Sequence, residues 1–583
     1  MALISAAQMP QKRAGTIERM LPWLWSGSLL ATLGFLVIYP MLMLIVGAFT
    51  VVSPISSATA TEVSRFSLQN FVDTLTSPAV GQAVLNSVIA CGAGTVFAVI
   101  LGVMMSWIVV RTNTPARRII GEISKVPLFI PPLVAAVAWS ILGSPDTGLL
   151  NIFFQKMGIA ININLYSMVG LITVFAMYYC PYVYMFASSA LMNMDPSFEE
   201  ASEISGAGAL RTQFQITFPL IAPAILSSML LSFVIMLGIY GVPAVLGLPA
   251  NISLLPVHLY QLTVLSPPQY NAAAAVSIIM ILVTLVFVYL QYKILAGRSY
   301  VTISGKGFRP KTLELGIWRW FTFALALIYI VVVVILPVFA LTVMAFRKFM
   351  FIPSLASLFD LTQYSMGHFE SLFDNPQTLM SMWNTLEVGL ITAVIGLAVA
   401  LSISYTVQRS KAPGRRLIDM ISTSAASIPG LIVGVAYLWA WIGLPDGLYG
   451  TLWILGLALV GRHIPDAARI LASSLIQVHK DLEEAAWIAG SGMFKTVRTI
   501  ILPLCKPGVI ATVSLLFILS VRELGTSLFL YTADTIVMPV LLLGLYESGT
   551  LGTTAAFGLF QIIFIAGVIG LANVIRHLVT RNT

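Results

Sequence analysis

Long apolar runs alternate with short polar interruptions from one end of this chain to the other. The runs lie near 23–49, 83–110, 126–142, 166–190, 221–247, 272–295, 317–346, 381–408, 419–443, 451–475, 505–532 and 552–575. A helix needs roughly 20 mostly apolar residues to cross a hydrocarbon layer of about 30 Å, so the pattern predicts twelve membrane-spanning helices. The short alternating segments of an outer-membrane barrel are missing. The first run follows Lys12, Arg13 and Arg19 and extends over residues 23–49. A signal-peptide core is only about 7–15 residues, so this run reads as a retained span.

Composition agrees with an all-α polytopic membrane protein. Of 583 residues, 58% are hydrophobic and 9% are charged, against roughly 25% charged in a soluble domain. The net charge of +8 raises the question of an acidic partner, and its distribution answers it. With the N-terminus inside, only Arg65, Lys156, Arg347 and Lys348 fall on the outer side, while Arg462, Arg469 and Arg522 fall within spans. Every other Lys and Arg is on the inner side, which is the positive-inside rule. Both termini are therefore expected in the cytoplasm of a bacterial inner-membrane protein, and no nucleic-acid partner is needed. Cys91, Cys180 and Cys505 sit in or beside spans and form neither a disulfide framework nor a metal-ligand spacing.

The chain contains itself twice. "EEASEISGAGALRTQFQITFPL" (199–220) and "EEAAWIAGSGMFKTVRTIILPL" (483–504) coincide at one offset in Glu199/Glu483, Glu200/Glu484, Ala201/Ala485, Gly206/Gly490, Thr212/Thr496, Ile216/Ile500 and Pro219/Pro503. "SWIVVRTNTPARRII" (106–120) likewise matches "SYTVQRSKAPGRRLI" (404–418), pairing Arg111 with Arg409, and Pro131 pairs with Pro429. Residues 1–296 and 317–583 thus form two six-span repeats, parallel because an even span number returns each repeat to its starting side. Residues 297–316 read as a cytoplasmic linker. The segments 51–71 and 347–369 are the long exported loops, each following the first span of its repeat.

The duplicated segments, 197–220 and 481–504, fall between the fourth and fifth spans of their repeats, on the cytoplasmic side. Ser197-x-x-Glu200 and Asp481-x-x-Glu484 read as capping boxes that start a helix. Leu482, Ala485, Ala486 and Ala489 then mark one face, and Gly206 and Gly490 end the helix. A second short helix leads to Pro219 and Pro503, where the fifth span of each repeat is expected to begin. Small residues permit close approach by a soluble partner, and the acids suit Arg or Lys at a contact rim. Capping alone is the alternative role for Glu200, Glu484, Gly206 and Gly490, and the two roles are compatible.

The pattern Glu-Ala-Ala, three residues, Gly, nine residues, Ile-x-Leu-Pro resembles the "EAA loop" of permeases of bacterial importers driven by ATP-binding cassettes. The resemblance covers nearly the whole chain, as two fused permease units of the type I (MetI-like) importer fold, with Ser202 and Phe218 departing mildly from the pattern. It implies two copies of a cytoplasmic ATPase docked on Glu199, Glu200, Ala201, Gly206 and Pro219, and on Glu483, Glu484, Ala485, Gly490 and Pro503. It also implies a periplasmic or lipoprotein substrate-binding protein outside. No G-x-x-x-x-G-K-[ST] phosphate loop is present, since "SGKGF" around Lys306 lacks the earlier glycine and the hydroxyl after lysine. ATP and magnesium are expected on the partner ATPase, with no cofactor or catalytic residue on this chain and membrane lipid around it.

Three ionisable residues fall deep in predicted spans: Arg462, Arg522 and Glu523. Such groups cost about 2.5–3.5 kcal/mol each on insertion scales and usually face a cavity or a partner. They either line the passage or its gate, or form an Arg–Glu pair that locks two helices. Tyr178, Tyr179, Tyr182 and Tyr184 either add polar groups to the path or pack. The first-repeat counterparts of Arg462, Arg522 and Glu523 are Tyr178, Gly238 and Ile239, so the two halves are unlike in mid-membrane. His463 is given no metal role. "SPPQYNAAAAVSIIMIL" (266–282) and "RELGTSLFLY" (522–531) are similar to segments of ferric iron permeases, which implies that substrate. "GIYGVPAVLG" (238–247) is also similar to permeases for aminoethylphosphonate, thiamine or polyamines. Ferric iron prefers hard oxygen ligands, and one carboxylate, Glu523, does not make a metal site. A proton-coupled secondary transporter with two parallel six-span halves is the alternative class. Its repeated motif belongs between the second and third spans, where this chain lacks the expected Asp.

Overall fold

A computed structural model describes residues 16–51, 66–295, 312–349, 356–442, 444 and 447–581. Most of the linker and the middles of both exported loops lie outside those residues. Eight helices are long and apolar enough to cross a membrane: Pro22–Ala48, Pro78–Arg111, Met168–Asn193, Gln213–Leu237, Tyr270–Leu290, Trp318–Phe346, Pro376–Gln408 and Leu551–Leu578. Three bent pairs raise the number to 11. The tenth predicted span is the helix Leu452–Gln477, whose 26 residues suffice in length; Arg462, Asp466 and Arg469 make it more polar than the rest. Among the described residues only isolated β-bridges occur.

Several spans differ from the sequence reading, each for a local reason. The third and ninth runs do not cross as straight helices. Arg117–Phe129 meets Pro132–Gly143 at 101°, and Arg415–Ser427 meets Gly430–Trp441 at 113°. Ile130 and Ile428, each followed by a proline, are extended, because the proline ring excludes α geometry from the residue before it. Each 12-residue second arm is about 18 Å long, too short to span alone. The fifth span starts well before Pro219, at Gln213, and stops at Leu237, with Gly238–Tyr240 separating it from the short helix Gly241–Leu246. In the second repeat the equivalent helix bends by 83° at Cys505. It then breaks over Arg522–Thr526, between Lys506–Val521 and Ser527–Leu530.

Among the described residues four turns of π-helix occur, at Gly34–Ile38, Gln213–Thr217, Val331–Ile335 and Val497–Ile501. Each ends two residues before a proline: Pro40, Pro219, Pro337 and Pro503. A proline cannot donate to the carbonyl four residues earlier and clashes with it, so the preceding turn widens. The same device at matched places in both repeats is part of the duplication.

The first span of each repeat packs on the other repeat. Leu29, Leu33, Leu36 and Val37 are buried with Ile403, Ile418, Val460 and Ile464. Ala326, Tyr329, Ile330 and Val333 are buried with Met105, Ile108, Cys180 and Tyr184. Polar contacts fix both crossings. The Trp25 indole donates to Thr406 Oγ1 at 2.9 Å, Tyr437 donates to the Leu36 carbonyl at 2.8 Å, and the Thr114 and Thr322 hydroxyls meet at 2.7 Å. Each sequence half therefore completes the bundle of the other, and one continuous core holds them together.

Candidate coupling helices and a mid-membrane gate

The duplicated segments form matching short helices, Ser197–Ile204 and Asp481–Ile488. The expected capping boxes are not made. The helices start one residue earlier than that motif requires, with Pro196 and Lys480 as caps and no side chain bonding back. The Asp195 carboxylate instead accepts from the Ser197 amide at 2.9 Å.

The two motif glutamates of each helix part company. Glu200 and Glu484 face outward, but Glu199 and Glu483 are buried, 4% and 3% exposed. That corrects the expectation of all four acids at a contact rim. Glu199 pairs with Arg111 at 3.1 Å and accepts from Thr217 at 2.6 Å. Glu483 pairs with Arg409 at 3.3 Å and accepts from Tyr405 at 3.0 Å. Arg409 also donates to the carbonyls of Leu475 and Val478 at the end of the tenth span. Arg111 and Arg409 end the second and eighth spans. The ion pairs therefore bolt each short helix to a long span beside it. A signal for this is present in the sequence, where both arginines recur in a duplicated motif.

The outward face is apolar. Phe198 and Leu482 are matched positions and roughly half exposed, and Ile204 and Ile488, also matched, are each 88% exposed. Trp487 and Phe494 widen the second patch. The expected small-residue face divides as well: Ala486 turns inward while Ala201, Ala485 and Ala489 turn out. Pro219 and Pro503 are half-buried and act through the π turns before them.

Gly206 and Gly490 end the helices in the left-handed region, at φ +85 and +82. Ala207 and Ser491 close each end by donating to Ser202 and Ala486 at 3.0 and 2.9 Å, the bond pattern that a left-handed glycine permits. A Cβ added at either glycine meets nothing within 4 Å, so any penalty is purely in the backbone. Gly490→Val is expected to release or uncouple a docked partner and lower the melting temperature, because left-handed geometry costs a β-branched residue about 1–2 kcal/mol or more. Gly490→Asn, tolerant of that region, should retain most function. Equal behaviour of the two variants in a pull-down and a thermal melt would reject the backbone argument.

In mid-membrane, four interruptions meet in crossed pairs. Gly238, at the break of the fifth span, lies against the Pro429 bend of the second repeat; a Cβ there would be 2.7 Å from the Pro429 Cβ. Arg522, its counterpart in the second repeat, reaches the bend of the first. It donates to the Leu128 carbonyl and, at 3.4 Å, to the Tyr178 hydroxyl, which itself donates to Ile130. Glu523 pairs with Arg462 at 3.6 Å and accepts from the Thr526 amide at 3.2 Å. Thr526 Oγ1 donates to the Gly430 carbonyl at 3.0 Å. The arrangement contains both an Arg–Glu pair within the second repeat and a tie between repeats. Tyr178, Arg462, Arg522 and Glu523 thus form one connected cluster. Pro131 and Pro429, visible as repeats in the sequence but assigned no role there, provide the bends that the breaks meet.

The fourth and tenth spans carry prolines at matched positions, Pro181 and Pro465. Around them Tyr178, Tyr179 and Tyr182 of the first repeat correspond to Arg462, His463 and Asp466 of the second. Tyr184 instead packs in the cluster with Tyr329. Among the described residues no group of three or more His, Cys, Asp or Glu is placed to hold a metal ion.

The chain is similar to known proteins in each repeat. The family described as binding-protein-dependent transport system inner membrane component matches at residues 94–299 and again at 392–582. The ferric transport system permease protein FbpB of Actinobacillus pleuropneumoniae is 26% identical over 77% of this chain and 65% of its own length. The sulfate transport system permease protein CysT of Salmonella typhimurium is 27% identical over 34% of this chain and 69% of its own. A solved bacterial alginate ABC transporter, in complex with a periplasmic protein bound to alginate pentasaccharide, aligns with 48% of this chain and 95% of its own at 20% identity and a TM-score of 0.38. Matched once in each repeat and over more than half its length, the chain belongs to the inner-membrane components of binding-protein-dependent transport systems, as two fused type I ABC importer permease units.

Proposed function

We propose that this permease forms the passage through which a substrate, ferric iron, enters the cell. An exported binding protein delivers it, and two cytoplasmic ATP-binding-cassette subunits drive it, one seated on each short helix. ATP and magnesium act on those subunits, and this chain catalyses nothing. The observation that carries the reading is the pair of matched apolar faces, each braced from behind by a buried arginine–glutamate bond. A push on such a helix passes directly to the second or eighth span, and through Gln213 and Met493 to the fifth or eleventh. The basic loops put those faces and both termini in the cytoplasm. Family membership sets aside the proton-coupled alternative.

Iron is favoured by the extent of likeness: the ferric relative is alike over 77% of this chain, the sulfate relative over 34%. Aminoethylphosphonate, thiamine and polyamine have weaker support, from the 238–247 segment alone. The test is co-expression with a candidate ATPase and binding protein, followed by purification and uptake of radioactive iron into vesicles. Ile488→Glu should abolish ATPase retention on that side while leaving the permease folded, because burying an unpaired carboxylate in an apolar contact is unfavourable. Full retention of the ATPase by Ile488→Glu together with Ile204→Glu would sink the docking site.

A further inference from the structure

The cluster of Tyr178, Arg462, Arg522 and Glu523 sets two guanidiniums against one carboxylate. Arg462 is matched by Glu523. Among the described residues Arg522 has no carboxylate within ion-pair distance and is held by a carbonyl and a phenol. Further along the tenth span Asp466 and Arg469 are both exposed, and the Asp466 carboxylate lies 3.6 Å from His463 Nδ1. Around the same level three buried polar atoms have no hydrogen-bond partner: Arg462 Nη1, His463 Nε2 and Tyr179 OH. The His463 side chain is 7% exposed. Gly430 leaves the room that Arg462 occupies, since a Cβ there would fall 1.3 Å from Nη1. The Glu523 carboxylate is already engaged by Arg462 and Thr526.

A bare trivalent cation would meet net repulsion here and no oxygen cage to replace its water. An acceptor-rich anion would meet a guanidinium with no carboxylate in ion-pair contact, Arg522, and the unpartnered Nη1 of Arg462, the kind of group that recognises oxyanions and carboxylates. We propose that the cargo crosses this gate carrying net negative charge, as an oxyanion or as an anionic oxygen-ligated chelate of ferric iron. Arg522 and Arg462 are its mid-membrane contacts. This rests on the importer reading above and narrows its substrate class. It also fits likeness to a ferric permease together with a cluster that holds one carboxylate, Glu523.

The sign of the charge is measurable on the intact complex. In vesicles containing the permease, its ATPase and its binding protein, a potential-sensitive dye reads the net charge moved per turnover, since conformational charges cancel over a full cycle. Radioactive iron supplied with citrate and, separately, radioactive sulfate are the probes. Interior-negative charging during uptake of either is expected; interior-positive or electroneutral uptake overturns the proposal. The variants give a second sign test. Arg462→Gln should lower uptake per ATP hydrolysed at least tenfold, Glu523→Gln should raise it, and the double variant should fall between. The reverse order, as for a cationic cargo, also overturns it. Sulfate uptake without iron uptake would remove iron and leave the anionic gate standing. A binding protein that stimulates neither hydrolysis nor any uptake would instead refute the importer reading.

Discussion

Replacing Arg409 with methionine will separate ATP hydrolysis from transport. The guanidinium is 5% exposed and bonds Glu483, itself 4% exposed in its side chain, together with the carbonyls that end the tenth span. Removing one partner of a buried ion pair leaves the other charge stranded, at a cost of about 3–5 kcal/mol. Tyr405 still donates to Glu483, but a phenol does not neutralise a carboxylate. The short helix should swing free of the eighth span, so that a docked ATPase turns over without moving the bundle. Uptake per ATP should fall by two orders of magnitude or more and the purified chain should melt earlier. The double variant Arg409→Met with Glu483→Met should recover the melting temperature, since an apolar pair of similar volume is often neutral or better than a buried ion pair. If Glu483 instead touched the ATPase directly, the double variant would fail to bind it however stable it became. Subunit retention and thermal melts of the two variants decide between these roles.

Gly238→Val is expected to push the two repeats apart where the fifth span meets the Pro429 bend. The position has ordinary right-handed geometry, φ −94, so conformational freedom is not what requires glycine. What requires it is the approach of the Pro429 bend, whose Cβ and Cα would lie 2.7 and 3.2 Å from an added Cβ. Those are ring and backbone atoms that cannot turn aside. Overpacking of this kind costs about 1–3 kcal/mol, and because the contact joins opposite repeats the penalty falls on the conformation in which they meet. A conformational equilibrium should shift about 5- to 150-fold, lowering uptake while ATPase retention, decided at the remote short helices, is unchanged. Gly238→Ala should give the same direction at smaller size. Wild-type uptake by both variants would mean that the crossed contact plays no part in the working cycle.

Much of this was legible beforehand, for reasons tied to particular residues. The duplicated Gly206 and Gly490 marked helix ends because no other residue takes a left-handed φ so cheaply. The sequence reading failed at the acids. Glu199 and Glu200 are adjacent and chemically alike, so nothing local tells which faces in; a helix turns about 100° per residue, and only the position of Arg111 decides. Ser197 and Asp481 suited a capping box, but helix start points shift by a residue with little local penalty, and Pro196 and Lys480 took the place. The runs 126–142 and 419–443 were apolar enough to read as straight spans. Pro131 and Pro429 bent them instead, because each second arm finds buried surface against the opposite repeat.

From the sequence alone came membrane residence, the doubling, the duplicated glutamate- and glycine-bearing segment and the unlikeness of the halves in mid-membrane. Those properties follow from composition, periodicity and register, which are local or repeat by translation along the chain. Only the tertiary structure could decide that first spans exchange partners, that Arg111 and Arg409 hold the short helices, and that Arg522 reaches Leu128 across 394 residues of chain. Such contacts depend on which helix faces meet in a bilayer, where apolar faces are nearly interchangeable to lipid and only close packing and polar bonds choose among them.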